Sequence, residues 1–292
     1  MISFRRIVFR WLNRLLNLAG LRLERVNDDF SIQPLDNFTR ERIFEKLGEV
    51  HQHWISEQQI YQPAKELDAV AEVRTFFNAW LASPFKRQTG SSRFNNLFWL
   101  YYISKTYDPK VIIDSGTYEG ASAWALKLGS PEACVFSYDV DLSQVKLKVP
   151  GVEYLQYDWS ACEHQWTESD RILVYFDDHV DQARRLIEAK KFACSVVIFD
   201  DDYPFTSYYA MAPNANVLPK VEFIIDDSLC DGQVFEWGTA KPGRTNRWTV
   251  NKKYLNEAKS CIDTTVRLPS TALITGIHQT PYRLVKIRRT GV

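Results

Sequence analysis

Two acidic stretches of this 292-residue chain sit where chemistry is done, each closing a largely apolar run. Ile172-Leu173-Val174-Tyr175-Phe176 leads into Asp177-Asp178-His179, and Ser195-Val196-Val197-Ile198-Phe199 into Asp200-Asp201-Asp202-Tyr203-Pro204. Short continuous apolar runs ended by polar residues are the pattern of buried parallel strands, so these carboxylates gather on one edge of a sheet. Like charges crowded there repel and raise one another's pKa values unless a cation sits among them. A divalent ion such as Mg2+ is the natural occupant, because hard cations take carboxylate oxygens from several strand ends. Singly, each acid could be only the cap of a turn. The doublet and the triplet together point to a metal or a substrate clamp.

A third stretch, Val111 to Lys127, reads V-I-I-D-S-G-T-Y-E-G-A-S-A-W-A-L-K. A β-branched run ends in Asp114, and Gly116 and Gly120 follow before a helical pattern. Gly116 lets the chain turn sharply, and Gly120 admits a ligand or a neighbouring strand. The helix beginning near Glu119 aims unpaired N–H groups at whatever lies above the strand ends. The pattern is that of a nucleotide-type site at the carboxyl edge of an open α/β sheet. Its spacing is D-x-G-x-x-x-G, not the G-x-G-x-x-G of dinucleotide sites. The run Val135-Phe136-Ser137-Tyr138 ends in Asp139, 25 residues after Asp114, with Asp141 a rival on the same face.

This loop resembles the first motif of class I S-adenosylmethionine-dependent methyltransferases. The resemblance implies an α/β fold: a Rossmann-like sheet with helices on both faces, its final strand antiparallel. It implies that Asp114, Gly116, Thr117 and Gly120 hold the methionine end of the cofactor and that Asp139 takes the ribose hydroxyls. A carboxylate suits a diol because it accepts two hydrogen bonds without rearranging. Asp158, after Leu155-Gln156-Tyr157, would contact adenine with Trp159 stacked beside it, unless the pair is a surface turn.

Within that superfamily the acids resemble those of metal-dependent O-methyltransferases of the catechol and macrocin types. The D-D-H and D-D-D-Y stretches also look like the cephalosporin hydroxylase-like group. Asp178 with Asp200 and Asp201 (or Asp201 and Asp202) would hold the cation. The catechol enzymes carry a lysine base three residues beyond their first metal acid. Here that position is Asp181, so His179 would remove the acceptor's proton, as neutral imidazole with a pKa of about 6.5 can do. His179 could instead be a first-turn residue bonded to a carboxylate. The implied activity is S-adenosylmethionine-dependent, metal-assisted O-methylation of a small-molecule or glycan hydroxyl, with Asp178 and His179 at its centre. Two other expectations stand beside it: a binding or assembly protein on the cofactor fold, and another metal-dependent enzyme of the same architecture, since fold does not settle function. The resemblance spans Lys110 to Pro204.

Strands are predicted at 111–114, 135–138, 152–155, 172–176, 195–199, 221–225 and 282–288, with helices between the early ones. Residues 31–108 read as a helical lid region and 109–292 as the α/β domain. Helix Arg93 to Lys105, aromatic on nearly every side, must be buried; its Asn95 and Asn96 are cofactor contacts or ordinary bonded residues. Arg184 and Arg185 are expected on a solvated helix face, and Trp237 and Trp248 on acceptor or core.

Residues 1–30 form a basic arm. Arg5, Arg6, Arg10, Arg14, Arg22 and Arg25 alternate with Ile2, Phe4, Trp11, Leu15 and other apolar residues at helical spacing. Such a helix lies in an anionic membrane surface through residues 2–18, packs on the domain behind it, or serves as a targeting peptide. Its arginines interrupt the run too often for a spanning segment. Lys+Arg and Asp+Glu are both 36, so nothing argues for nucleic acid. Five scattered cysteines without a C-x-x-C pair imply a reducing, cytoplasmic compartment and no zinc site, with Cys134 and Cys194 buried.

Overall fold

The computed structural model describes residues 35–87, 92–161, 163–164, 166–204, 217–238 and 245–289. The basic arm and its expected membrane contact at residues 2–18 lie outside the described residues.

Three helices precede the sheet. Helix α1 (Asn37–Gln58) starts where the Asp36 carboxylate accepts from the Thr39 N–H at 2.9 Å, and it buries Phe44, Leu47, His51, Trp54 and Ile55 along one stripe. Helix α2 (Ala69–Ala82) is capped by Asp68 and stops before Pro84. Helix α3 (Phe94–Tyr107) buries 13 of its 14 residues, as its all-round aromatic surface requires. Asn95 and Asn96 take the ordinary role: they donate to Thr275 Oγ1, the Ile277 carbonyl and the Thr280 carbonyl.

The strands and helices then alternate: β1 (Val111–Ser115), α4 (Ala121–Gly129), β2 (Cys134–Tyr138), β3 (Val152–Leu155), β4 (Ile172–Phe176), α5 (Gln182–Lys191) and β5 (Val196–Phe199). After them come α6 (Val221–Ile225), the hairpin β6 (Val234–Gly238) and β7 (Thr245–Thr249), α7 (Lys252–Ser260), β8 (Ile262–Arg267), α8 (Ala272–Thr275) and β9 (Arg283–Ile287). The seven-stranded sheet runs β3-β2-β1-β4-β5-β9-β8. Strands β3, β2, β1, β4 and β5 are parallel, and β9 is antiparallel to both β5 and β8. That antiparallel late strand in a helix-flanked sheet is what the class I methyltransferase resemblance implied. Side chains alternate across the sheet. Ile112, Leu173, Val196 and Leu284 join the core under α1 to α4, while Ile113, Val174, Val197 and Val285 join the core under α5 to α7.

Register levels the strand ends. Ser115 lies beside Tyr138 and Phe176, and Phe176 beside Phe199, so Gly116, Asp139, Asp177 and Asp200 emerge side by side. From β1 the chain crosses to β2 on one side and from β4 to β5 on the other, so the switch point where open sheets form clefts lies between β1 and β4.

Some expectations are corrected. Residues 221–225 form a helix, not a strand: Lys220 precedes it and Val221, Phe223 and Ile224 are buried. A five-residue apolar run cannot tell the two apart by period. Helix α4 begins at Ala121 with Gly120 as its N-cap, close to the start expected near Glu119. Cys134 is exposed at the start of β2, whereas Cys194 is buried.

Candidate functional site

Above the strand ends opens a cleft of about 670 Å³, within the size range of small-molecule sites. Loops after β1 (Ser115 to Tyr118), β2 (Asp139, Val140), β3 (Tyr157, Asp158), β4 (Asp177 to Val180) and β5 (Asp200, Asp201, Tyr203) line it. The start of α3 and the segment before β9 close the far side with Ser92, Arg93, His278 and Thr280. Tyr118 (φ +43°), His179 (φ +55°) and Asp201 (φ +53°) all hold left-handed backbone in this lining. Such strain in residues other than glycine concentrates at functional sites.

The expected cofactor residues divide. Gly116 has φ +99°, and a Cβ there would stand 2.4 Å from the Asp177 carbonyl oxygen, so the glycine lets the β1 and β4 loops touch. Thr117 lines the cleft with its hydroxyl bonded to Ser137 and the Tyr138 carbonyl. Asp139 is half-buried; one oxygen accepts from the Tyr118 N–H at 2.8 Å and the other from the Asp141 N–H at 3.0 Å. A carboxylate has about four lone-pair directions, which leaves acceptor capacity toward the cleft. Asp141 itself caps the turn at Leu142–Gln144 by accepting from the Ser143 N–H.

Asp114 and Gly120 lie beneath the cleft and do not line it. Asp114 is fully buried and accepts from Ser137 Oγ at 2.6 Å; burial pushes its carboxyl up to about 7, against the Ser137 and Ser122 hydroxyls. Gly120 faces the Leu147 carbonyl, 3.2 Å from where a Cβ would stand. Asp158 does line the cleft. Burial would raise its carboxyl, but the Arg185 guanidinium at 2.9 and 3.1 Å and Ser160 hold it well below the usual range. Trp159 is buried in the core beside His164, so Tyr157 is the ring next to Asp158 that faces the cleft.

Of the acids expected to hold a cation, only Asp201 belongs to the group that converges among the described residues; Asp177 and His179 complete it in place of Asp178 and Asp200. Donor atoms of Asp177, His179 and Asp201 all lie within 4.8 Å of one another. Asp178 is engaged elsewhere: it pairs with Arg185 at 2.8 Å, accepts from Ser115 Oγ at 2.6 Å and accepts from the Val180 N–H at 3.2 Å. Asp200 lines the cleft but accepts from Tyr175 OH at 2.9 Å and Thr280 Oγ1 at 2.6 Å. Asp202 turns away into a buried ion pair with Arg283 at 2.6 Å, joined by Arg267 at 3.1 Å.

Burial raises Asp177 well above the carboxylate range, and the charges of Asp200, Asp201, Asp178 and Asp114 add to it. Burial and Asp201 push Asp200 up to about 7, and burial raises Asp201 as well. Acids that raise one another in this way are relieved by a cation, so the donor set fits a divalent ion. An imidazole among carboxylates suits Mn2+ or Zn2+ as well as Mg2+.

Sequence reasoning missed Arg185. It was expected in solvent, yet its side chain is 2% exposed, between Asp158, Asp178 and Glu188 and over the Phe176 ring. A signal existed: Gln182, Leu186 and Ala189 mark the buried stripe of α5, and Arg185 falls on it. Lys220, buried beside the acids, was also missed, as was the Ser92-Tyr175-Tyr282 hydroxyl cluster with contacts of 3.0 to 3.1 Å.

No protein-family model matches the chain, and no curated protein does. Among solved structures, similar folds include an O-methyltransferase from Bacillus cereus in complex with SAH (12% identity, 83% of this chain and 99% of that one, TM-score 0.41). Another is the O-methyltransferase TomG from Streptomyces achromogenes in complex with SAM (11% identity, 83% and 97%, TM-score 0.41). A third is CmcI-N160 with SAH (20% identity, 46% and 73%, TM-score 0.31). Likenesses this distant carry no argument about what the cleft binds, which rests on its own geometry.

Proposed function

We propose that the chain is an S-adenosylmethionine-dependent O-methyltransferase acting on the hydroxyl of a small molecule or glycan. The observation that carries the reading is the cleft at the switch point. Its β1 loop is a glycine turn, its β2 end presents the Asp139 carboxylate, and its β4 and β5 ends present Asp177, His179 and Asp201.

S-adenosylmethionine, when bound, supplies a methyl group on a sulfonium and so leaves no hard bond-making to the protein. Asp139 accepts the ribose hydroxyls, and Thr117 and Tyr118 border the methionine end. Tyr157 covers the adenine beside Asp158. Asp178, fixed by Arg185 and Ser115, holds the turn that presents His179. His179 takes the acceptor's proton at a ring nitrogen, which contributes about a hundredfold or more to such transfers.

A second reading is favoured by the 4.8 Å convergence: Asp177, His179 and Asp201 together hold a divalent cation, which would acidify the acceptor hydroxyl. One set of assays separates the two. Methyl-labelled S-adenosylmethionine is offered with mixed sugars and phenols, before and after chelation. If His179 is the base, transfer survives chelation, and His179→Ala slows it about a hundredfold with partial recovery at high pH. If His179 is a ligand, chelation stops transfer and His179→Ala weakens metal binding instead. A chain that binds the cofactor and labels nothing in a broad screen is a binding protein, and the enzyme reading falls.

A further inference from the structure

The two rims of the cleft differ in charge. Asp139 and Asp158 stand on one side, and Arg93 and His278 on the other. Their neighbourhood is built, not incidental. Asn95 Nδ2 donates at 2.9 Å to Thr275 Oγ1 and to the Ile277 carbonyl. Asn96 Nδ2 donates to the Thr280 carbonyl at 3.0 Å, and its Oδ1 accepts from the Thr280 N–H at 3.2 Å. These bonds fall on both sides of His278 and staple it to the start of α3, where Arg93 stands. Burial lowers the His278 pKa and the Arg93 charge lowers it further, so the two groups feel each other. Arg93 is also the N-cap residue of α3 without capping it through its side chain, which adds the positive end of a 14-residue helix to the same rim. The Arg93 guanidinium and an imidazole N–H of His278 are both donors that an anion can accept from, the arginine's bonds being charge-assisted.

We propose that Arg93 and His278 form a subsite for an acidic group on the acceptor, a carboxylate or phosphate. The proposal rests on the methyl-transfer reading for the word acceptor. Acceptors that carry an acidic group together with a hydroxyl, such as a uronic acid, a sugar phosphate or a hydroxybenzoate, suit such a subsite.

The test titrates inorganic phosphate against the whole chain and follows the His278 imidazole resonances by NMR, assigned with His278→Gln. The expected result is a saturable shift that persists when S-adenosylhomocysteine is bound. Arg93→Met should weaken it about tenfold or more, the loss of a charge-assisted bond, while Arg93→Lys retains most of it and controls for folding. No shift into the tens of millimolar overturns the proposal. A shift in the free chain that S-adenosylhomocysteine abolishes also overturns it, because the subsite then belongs to the cofactor's own carboxylate. Paired substrates give the activity arm: 3,4-dihydroxybenzoate and glucuronate should be labelled at least tenfold faster than catechol and glucose, and equal rates overturn the proposal. Calorimetry with S-adenosylhomocysteine tests methyl transfer separately, so the phosphate titration still decides the anion subsite in a chain that ignores the cofactor.

Discussion

Gly116 and Gly232 both hold left-handed backbone, yet only one is crowded. A Cβ at Gly116 would meet the Asp177 carbonyl at 2.4 Å, whereas at Gly232 it meets nothing within 4 Å. Gly232→Ala therefore carries the backbone penalty alone, about 1 kcal/mol, and Gly116→Ala should lose at least about 2 kcal/mol more by overpacking. Urea unfolding of the two variants compares them directly; equal losses would mean the β1 and β4 loops can part freely. The same crowding means that Gly116→Val disturbs the fold locally and cannot test cofactor space by itself. Asp114 makes a second prediction, about pH. Its folded pKa is raised to about 7 from 3.8, so the native chain holds the proton more tightly than the unfolded one. Stability then falls as pH rises from about 4 to about 7 and levels off above, with about 4 kcal/mol as the upper bound for this group. Asp114→Asn should flatten that fall in part, Asp200 keeping the rest, when unfolding is measured at pH 5 and pH 7.5; an unchanged slope would contradict the assignment.

Elements are legible in the sequence where burial is two-sided. Strands β1, β4 and β5 are continuous apolar runs, and the acids that close the early strands place Asp139, Asp177 and Asp200 on one edge by pattern alone. Strand β8 is not legible, because it is flanked only by β9 and reads Ile262-Asp263-Thr264-Thr265, with just its first residue buried. Helix α6 reads as a strand because Glu222 inside it gives no period; that residue serves to reach Arg283 and Arg267. Arg185 escapes notice because its partner Asp158 is 27 residues away, a relation that no local pattern carries. The pair gives the prediction at this scale. Arg185 joins the β3 end to the β4 end, and through Asp178 to Ser115 of β1. Arg185→Met removes the buried cation shared by Asp158, Asp178 and Glu188, of which Asp158 and Glu188 keep Arg184, and should cost about 3–5 kcal/mol. Pairing it with Asp178→Asn should recover part of that loss in urea unfolding; strictly additive losses would mean the bridge is not a unit.

At the scale of the molecule, the helices before the sheet are part of its core. Phe98, Leu100 and Ile103 of α3 pack in one cluster with Ile112, Leu173 and Ile198 of the sheet. A chain beginning at Lys110 should therefore fail to give a cooperative unfolding transition, and a cooperative one would make residues 37–107 a dispensable layer. Among the described residues no helix is long and apolar enough to cross a membrane. Surface attachment is a proposal for the arm alone: the whole chain should sediment with anionic vesicles and detach in high salt, and a chain starting at Asn27 should not. Methyl transfer requires above all that the cleft accept S-adenosylmethionine, and calorimetric titration of the whole chain tests that most directly. One cofactor per chain should bind, and Asp139→Ala should weaken it about tenfold to a hundredfold through the loss of its hydrogen bonds, with the fold intact by circular dichroism. No heat of binding in the folded chain, or an unchanged affinity in Asp139→Ala, would contradict it.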